Sequence, residues 1–396
     1  MISGGRGVTE QCSRGEAKAP SRQPSETGGH TLGVVELDLE KDGRYNAFIA
    51  SHPKAIIFHH PGWLSALQAE YETGAIVLGC ENGDRHLEGV LPLLRTRGMP
   101  FNIGVQQTGR RLSSLPRTPL AGPIFTSEEV GRLLIKAGVD RAKGESGVQL
   151  QIKSQDRFSA EVSDGLFCTS WRPTYVLEVP ERREELRFGD ARNRHNLKWA
   201  VKKAEQNGIS VRLAENESDL LAWYPLYLQV MRRNSVPPRC LRFFVAMWRN
   251  LASKGIMRLK LAEQKRADGQ QLIAGSIFLT FGNTTWYAFT GIGDNDLNLH
   301  ANDLILWRSI HDLCGTCVRW LDFGEVAEDH PELARFKTKW GALPKEQYRY
   351  YSGDPVTQNG HRSEARSVAM QLARRFWQRL PIRITQQLGD LFYSRL

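Results

Sequence analysis

The chain has 396 residues, of which 41% are hydrophobic, 9% aromatic and 24% charged. This composition is typical of a globular protein with one large domain or two ordinary ones, and it excludes a disordered or fibrous chain. The net charge of +10 favours anionic partners, such as phosphorylated substrates, nucleic acid or a membrane surface.

The N-terminal segment and the cysteines narrow the cellular setting. Residues 1–30 are rich in Gly, Ser, Arg and Glu without an apolar run, which predicts a disordered tail and no signal peptide. No apolar stretch approaches the roughly 20 residues that span a bilayer, so we expect a cytoplasmic protein. Six scattered cysteines indicate reduced thiols. Cys314 and Cys317 form a lone CxxC, which favours two buried small residues; without a second ligand pair, no metal is expected.

The first half of the ordered chain alternates strands and helices. LGVVELDL, starting near Thr31, predicts a strand, and a helix is expected over residues 61–71. AIVLGC and HLEGVLPLLR flank an Asn-Gly turn, which predicts a β-hairpin. Residues 99–123 contain several Gly and Pro and predict a long loop. Ser127 is expected to cap a helix, and VQLQIK and TYVLEV to form two more strands.

The second half repeats this pattern. A helix is expected after Asp190, closed by Gly208 in a left-handed conformation. Helices over 218–233 and 240–253 precede a hairpin, a third strand TTWYAFTGI and a helix that Asn302 would cap. CVRWLDFG then predicts a strand. The hairpins in the two halves are loosely similar, so the sequence predicts an α/β fold of mixed sheets flanked by helices, built from a duplicated unit.

Lys337 lies in the last predicted helix of this half, residues 331–340. Asp329 and Glu332 fit a capping box at its start. Helical periodicity places Lys337 on the apolar stripe of Leu333, Phe336 and Trp340. The simpler explanation is a buried stem whose ammonium reaches water. The helix follows a strand end, however, where ligand crevices form, so the lysine could instead hold the oxyanion of a tetrahedral intermediate.

A second group of polar residues lies near two other helix starts. Asn193 and Arg194 continue the inward face of the helix after Asp190. Arg194 is either a structural residue or a phosphate clamp, since a guanidinium beside a helix N-terminus suits anions. His300 is either structural or a general base by residue type.

Five segments together carry a resemblance to a known family: ARNRHNLKWAVKKAEQNGI, LIAGSIFL, WYAFTG, LHANDLILWRSI and DFGEVAEDHPELARFKTKWGA. The chain resembles the FemAB-like branch of the GNAT acyltransferases over about residues 40–351. The resemblance implies two tandem GNAT-like domains, over residues 31–185 and 186–352. It also implies an N-acyltransferase acting on a small-molecule or lipid-linked sugar or peptide amine in cell-envelope or exopolysaccharide synthesis.

The resemblance also assigns roles to residues. It places Lys337 and Phe336 at the transferase centre, as oxyanion stabiliser and acyl-pocket residue. Arg194 and Lys198 would hold substrate phosphates. In a GNAT-like sheet, the helix that follows His300 would start near the phosphates of the acyl donor, and Asn302, the expected cap, lies there. The donor would be acetyl-CoA, another acyl-CoA or an aminoacyl-tRNA; no coiled-coil arm of the kind found in some tRNA users is evident, which favours CoA.

Two other interpretations stay open. The chain could be a non-catalytic protein that keeps the GNAT fold to bind an anionic lipid-linked or sugar ligand. A nucleic-acid-binding module rests on charge alone, because the basic runs lack interleaved aromatic residues, so no specific nucleic-acid site is expected.

The C-terminal tail, residues 353–396, lies beyond the resemblance. Its last 36 residues carry half of the net charge, and Val368, Leu372, Phe376 and Leu380 recur at four-residue spacing. Residues 361–396 therefore predict a basic amphipathic segment. It would either contact the inner face of the membrane peripherally or dock on the protein itself.

Overall fold

The computed structural model describes residues 31–96, 110–267, 269–353 and 374–395. The predicted disordered tail, residues 1–30, lies outside these ranges. One mixed sheet of thirteen strands runs through the molecule. Its strands are β1 (Gly33–Glu36), β2 (Ala75–Glu81), β3 (Leu87–Thr96), β4 (Arg111–Ser113), β5 (Ile124–Phe125), β6 (Gln149–Ser154), β7 (Phe167–Glu178), β8 (Ile209–Leu213), β9 (Met257–Arg266), β10 (Gly269–Phe281), β11 (Thr284–Ile292), β12 (Trp320–Glu325) and β13 (Leu343–Tyr351).

Helices cover both faces of the sheet. Ile277 and Leu279 of β10 belong to one buried apolar cluster, and Phe278 between them belongs to another. Alternate residues of a strand point to opposite faces, so both faces are packed and the predicted α/β class is confirmed. The helices are α1 (Arg44–Ser51), α2 (Pro61–Tyr71), α3 (Glu128–Lys143), α4 (Ala191–Gln206), α5 (Glu217–Arg233), α6 (Leu241–Leu251), α7 (Ala301–Leu313), α8 (Pro331–Lys339) and α9 (Ile382–Arg395).

The two halves share the sheet by crossing their last strands. The strand order is β1-β2-β3-β4-β6-β13-β7-β12-β11-β10-β9-β8, with β5 paired to β3. Strand β13, from the end of the second half, lies between β6 and β7 of the first half. Strand β7 in turn pairs with β12. The centre of the sheet is thus built from both halves, while the domain limits of 31–185 and 186–352 stay a prediction.

A buried ion pair also joins the halves. Arg239, in the segment before α6, pairs with Glu70 of α2, and both side chains are almost fully buried. The same guanidinium donates to the carbonyl of Arg117, 2.5 Å away. Because breaking a buried pair leaves one charge without compensation, this contact ties the second half to two segments of the first.

Local sequence signals identified most elements. The Ser127 hydroxyl accepts from the amide of Val130, so the predicted cap is confirmed. The Asp190 carboxylate accepts from the amide of Asn193 and caps α4, which was not predicted. Gly208 has a φ of +71°, as expected for a left-handed cap.

Helix α1 was not predicted. The predicted loop over 99–123 is wrong where β4 forms, because residues 111–113 are buried between β3 and β6; residues 97–109 lie outside the description.

The described part of the C-terminal tail docks on the protein. Thr385 of α9 is fully buried, and the Gln378 side chain before it donates to the carbonyl of Arg233 in α5. A β-carbon on Gly389 would lie 2.7 Å from the Pro238 carbonyl oxygen, so α9 approaches the backbone closely. Residues 354–373, with Val368 and Leu372 of the predicted stripe, lie outside the description.

Candidate active site where two strands diverge

The site begins where two parallel strands separate. Strands β11 and β12 pair only over residues 284–286 and 320–322. Both strands continue past this point without pairing to each other. The rings of Tyr287 and Phe323, the next residue of each strand, lie 6.0 Å apart between centroids. Crevices outside the carboxyl ends of strands are common ligand sites in α/β sheets, and this divergence opens such a wedge.

A β-bulge shapes the β12 side of the wedge. Against β7, Asp322 lies opposite Val176 and Glu325 lies opposite Thr174, so β12 has one extra residue there. Gly324 takes a φ of +81°, in the left-handed region that favours glycine. This conformation brings the Gly324 amide to the Asp322 Oδ1 at 2.6 Å. The bulge therefore holds a carboxylate at the point where the strands part.

Lys337 reaches the same bulge from α8. Its side chain is 5% exposed, as the helical periodicity predicted. The Nζ donates to the carbonyls of Gly324 at 2.7 Å and Glu325 at 3.1 Å. The ammonium therefore binds backbone carbonyls and does not reach out to water. An ammonium has three N–H donors, so one remains without a partner among the described residues.

Burial and nearby carboxylates set the protonation of Lys337. Burial lowers the pKa of the Lys337 ammonium to about 8, and the charges of Asp322 and Glu325 oppose this shift. Burial raises the pKa of the Asp322 carboxyl, against the hydrogen bonds from Thr174 and the Gly324 amide. The two shifts bring an acidic and a basic group toward neutral pH at one place, a feature of many active sites.

Glu325 fixes the bulge from the other side. Its carboxylate accepts from the Arg349 guanidinium of β13 at 2.6 Å and from the Trp171 indole of β7 at 3.2 Å. The Arg349 side chain is 3% exposed and lies 4.9 Å from the Trp171 ring centroid. Since the Glu325 carbonyl binds Lys337, the crossed strands β7 and β13 both help to position that lysine.

The start of α7 borders the wedge. His300, with a φ of +59°, precedes the helix, and its Nδ1 lies 3.2 Å from the Asp303 carboxylate. Asp303 also accepts from Lys339 of α8 at 3.0 Å. The buried Oδ1 of Asn302 has no hydrogen-bond partner among the described residues. The expected cap by Asn302 is wrong: α7 starts at Ala301 with His300 at the N-cap position, so Asn302 lies inside the first turn.

Helix α4 places its predicted residues on different flanks. Asn193 lies beside α8, because a β-carbon on Gly189 would fall within 2.8 Å of its side-chain nitrogen and 3.0 Å of the Thr338 carbonyl oxygen. The buried Nε of Arg194 has no partner in the described ranges. Lys198 is exposed. His300 packs against Trp199 of α4, with ring centroids 5.3 Å apart. Within the described part of the chain no contact joins Arg194 or Lys198 to His300, so a shared phosphate site stays a prediction.

Three smaller expectations are corrected. His330, not Asp329, occupies the N-cap position of α8 and no side-chain bond caps the helix, so the capping box is absent. Leu333 is 42% exposed, because the inward face of α8 is narrower than the predicted stripe; Trp340 is buried and Phe336 partly buried. In the CxxC pair, Cys317 is exposed, since it lies in the turn before β12.

Asp322 was missed by sequence reasoning. It lies between Leu321 and Phe323, which are both buried, so a carboxyl interrupts an apolar strand. A buried carboxyl needs hydrogen bonds or a charged partner, and that requirement was the available signal. Its partner Thr174 lies on another strand of the sheet, 2.5 Å from Oδ1, and no local pattern connects the two.

With this geometry described, comparison with known proteins defines the class. Residues 191–337, from α4 to Lys337, match the family model described as an acetyltransferase (GNAT) domain. This stretch of the second half is therefore similar to a GNAT acetyltransferase domain. No curated protein matches the sequence.

Solved structures extend the similarity to both halves. The crystal structure of FemX aligns with a TM-score of 0.61 at 14% identity, covering 82% of this chain and 98% of FemX. The lysylphosphatidylglycerol synthase from Bacillus licheniformis gives 0.53 at 13% identity, covering 87% and 98%. A C-terminal domain of a putative lysylphosphatidylglycerol synthetase from Agrobacterium fabrum gives 0.53 at 10%, covering 80% and 92%. These structures share the fold of the chain, and together with the GNAT match over residues 191–337 they support the predicted FemAB-like branch.

No described helix has the combination of length and apolar character needed to cross a bilayer. No group of three or more His, Cys, Asp or Glu side chains within the described ranges could hold a metal ion.

Proposed function

We propose that the chain is an N-acyltransferase that moves an acetyl or other acyl group from acyl-CoA to an amine. The observation that carries the proposal is the divergence of β11 and β12, near which Lys337 keeps one N–H donor without a partner among the described residues. An acyl group bound in the wedge would place its carbonyl oxygen within reach of that donor. A charged donor aimed at the developing oxyanion stabilises the transition state more than the ground state.

In the proposed reaction, a neutral amine attacks the thioester carbonyl carbon and a C–N bond forms. The carbonyl oxygen becomes negatively charged, and Lys337 stabilises it. The C–S bond then breaks, the oxygen re-forms the carbonyl, and the thiolate leaves. Phe336, partly buried beside this centre, would shape the acyl pocket. Asn193, Arg194, Lys198, His300 and Asn302 are proposed to face the phosphates of the donor.

Acyl-CoA is the proposed donor, and aminoacyl-tRNA is the alternative. The coiled-coil arm of some tRNA users requires long helices, and the longest described helix, α5, has 17 residues. We expect isothermal titration with acetyl-CoA to show binding, and a labelled acetyl group to pass to a primary amine such as glucosamine. Cys168 and Cys317 are exposed, so the acetyl label should be followed and not the released thiol. A protein that binds acetyl-CoA without transfer would support the non-catalytic alternative, and absence of binding would contradict the CoA donor.

A role in cell-envelope or exopolysaccharide synthesis, with a small-molecule or lipid-linked amine as acceptor, is part of the proposal. Two of the similar structures carry the name of an enzyme that makes an aminoacylated lipid. The outer face of the docked tail also exposes apolar side chains, Phe376 at 68%, Ile384 at 41% and Leu391 at 46%, among arginines. Apolar residues among cations suit an anionic membrane surface.

Charge reversal tests the membrane contact without removing the docked helix. We expect the full chain to float with vesicles containing phosphatidylglycerol and the Arg375→Glu/Arg379→Glu variant to float several-fold less. Both arginines are exposed. Arg132→Glu/Lys136→Glu, on the exposed face of α3, is the control of equal charge change. Equal flotation of all three proteins would exclude the tail as the contact.

A further inference from the structure

A cavity of about 1090 Å³ lies where the two halves meet, and Asp322 forms part of its wall. Both halves line this cavity. Its lining includes Ile56, Leu120 and Val176 of β7 from the first half, and Trp286, Asp322 and Lys345 from the second. Trp286 is the register partner of Asp322, so the cavity reaches the last paired residues of β11 and β12. The strands diverge directly after those residues, so Asp322 lies both on the cavity wall and at the point of divergence.

The Asp322 carboxylate is held by one oxygen only. Oδ1 accepts from the Thr174 hydroxyl at 2.5 Å and from the Gly324 amide at 2.6 Å. Oδ2 has no hydrogen-bond partner among the described residues. A 6% exposed carboxyl that lines a cavity with one oxygen available is placed to accept a hydrogen from a group in that cavity.

One glycine connects this carboxylate to Lys337. The Gly324 amide donates to Asp322 and the Gly324 carbonyl accepts from Lys337. The proton-accepting group and the oxyanion-binding group are therefore fixed by a single residue of the bulge. A tetrahedral intermediate needs both groups at once, one for the nitrogen and one for the oxygen.

The charges around Asp322 leave it able to change protonation. Lys337 of α8 favours the charged form, and Glu325 of β12 opposes it. From the neighbouring strands, Lys345 of β13 and Glu178 of β7 face the same cavity. Burial raises the pKa of the carboxyl, which makes it a stronger base than an exposed aspartate.

We propose that the junction cavity binds the acceptor as a primary ammonium ion and that Asp322 is the general base that deprotonates it. The inference rests on the proposed acyltransferase function. The ammonium gives one proton to Oδ2, and the neutral amine attacks the acyl carbonyl carbon from the cavity side. After the C–N bond forms, the second proton leaves the nitrogen with the departing thiolate as the C–S bond breaks. The cationic acceptor and the donor thus approach from opposite sides of the strand pair.

Asp322→Asn is the direct test, because asparagine keeps an oxygen for Thr174 and Gly324 but cannot take up the proton. With acetyl-CoA and glucosamine at pH 7, we expect kcat to fall about 100-fold, within the usual range for removing a general base. The difference in kcat between the variant and the unaltered protein should shrink as pH rises, because more of the amine is then already neutral. The KM for acetyl-CoA should stay unchanged. Asp164→Asn, the same change at an exposed turn, is the control.

Thr174→Val is the second variant, and it keeps the carboxylate. Valine cannot donate the hydrogen bond that the Thr174 hydroxyl gives to the charged Asp322 carboxylate. The pKa of Asp322 should therefore rise, and the acidic limb of kcat/KM should move to higher pH. Full activity of Asp322→Asn would overturn the inference, and so would an unmoved acidic limb of kcat/KM in folded Thr174→Val. In either case, transfer by the unaltered protein would still support the proposed function. Absence of transfer by the unaltered protein would contradict the proposed function and this inference with it.

Discussion

Two buried lysines, one in each half of the molecule, look alike by burial and differ in what surrounds them. Lys153 of β6 is 6% exposed and Lys337 of α8 is 5% exposed. Lys153 donates to the carbonyls of Leu115 at 2.5 Å and Thr118 at 2.9 Å, so each lysine binds two backbone carbonyls. Burial alone therefore does not distinguish a structural lysine from a functional one.

The charges around the two lysines separate them. Burial and the nearby Arg349 guanidinium lower the pKa of Lys153 well below its ordinary value, and Glu325 opposes this shift. Both carbonyls that Lys153 binds belong to one loop, between β4 and β5. Carboxylates on two sides help Lys337 to keep its charge, and it has a third donor to offer. The difference supports the proposal that Lys153 holds its loop and that Lys337 serves a ligand.

The loop held by Lys153 supports this distinction. Leu115 has a φ of +62° and Arg117 of +49°, which are uncommon for residues other than glycine. Leu115 is fully buried and Thr118 is 2% exposed, so water cannot replace a lost donor there. Gly324 and Glu325, which accept from Lys337, are only partly buried.

The same substitution at both lysines is the strongest test of this difference. We expect Lys337→Met to lower kcat for acetyl transfer at least about 100-fold, the effect of removing one oxyanion donor, with little change in stability. We expect Lys153→Met to keep kcat within about twofold of the unaltered protein and to lose about 2 kcal/mol of stability, because two buried carbonyls lose their donor. Steady-state transfer and urea unfolding measure the two effects.

The matched pair has clear contradicting outcomes. A large loss of kcat in a folded Lys153→Met protein would place the first-half lysine in the chemistry. Normal turnover by Lys337→Met would remove Lys337 from the active site, and the proposed mechanism with it.

The sequence was sufficient for features that depend on local pattern. The inward direction of Lys337 follows from helical periodicity, and the cap at Ser127 follows from residue type. The contacts that give Lys337 its surroundings are long-range. Strand β13 inserts between β6 and β7, and no periodicity predicts which strands become neighbours.

The bulge shows the same limit at the level of single residues. Gly324 in the left-handed region joins Asp322 to Lys337, but the sequence DFG does not reveal that the strand gains a residue there. Asn302 fits a cap by residue type, yet the helix starts two residues earlier than that cap would give, with His300 at the N-cap position in the left-handed conformation. Which of two nearby polar residues occupies a cap depends on the chain before it.

The smallest expected effect is the pH dependence of stability that Lys337 contributes. Its pKa is about 8 in the folded protein and 10.5 ordinarily, so between these values the unfolded chain binds more protons. Unfolding free energy should therefore rise with pH across this window, by at most about 3 kcal/mol for a shift of this size, and be flat in this contribution below it.

Urea unfolding at pH 7.5 and pH 10 should show the rise in the unaltered protein and a smaller one in Lys337→Met, which has no proton to lose. Comparing the difference between the two proteins cancels the titration of other groups, including Lys153. An identical pH dependence in both would mean that the Lys337 ammonium is not destabilised by burial. The lysine would then keep an ordinary pKa, and its role as a charged oxyanion donor would extend to higher pH than its burial indicates.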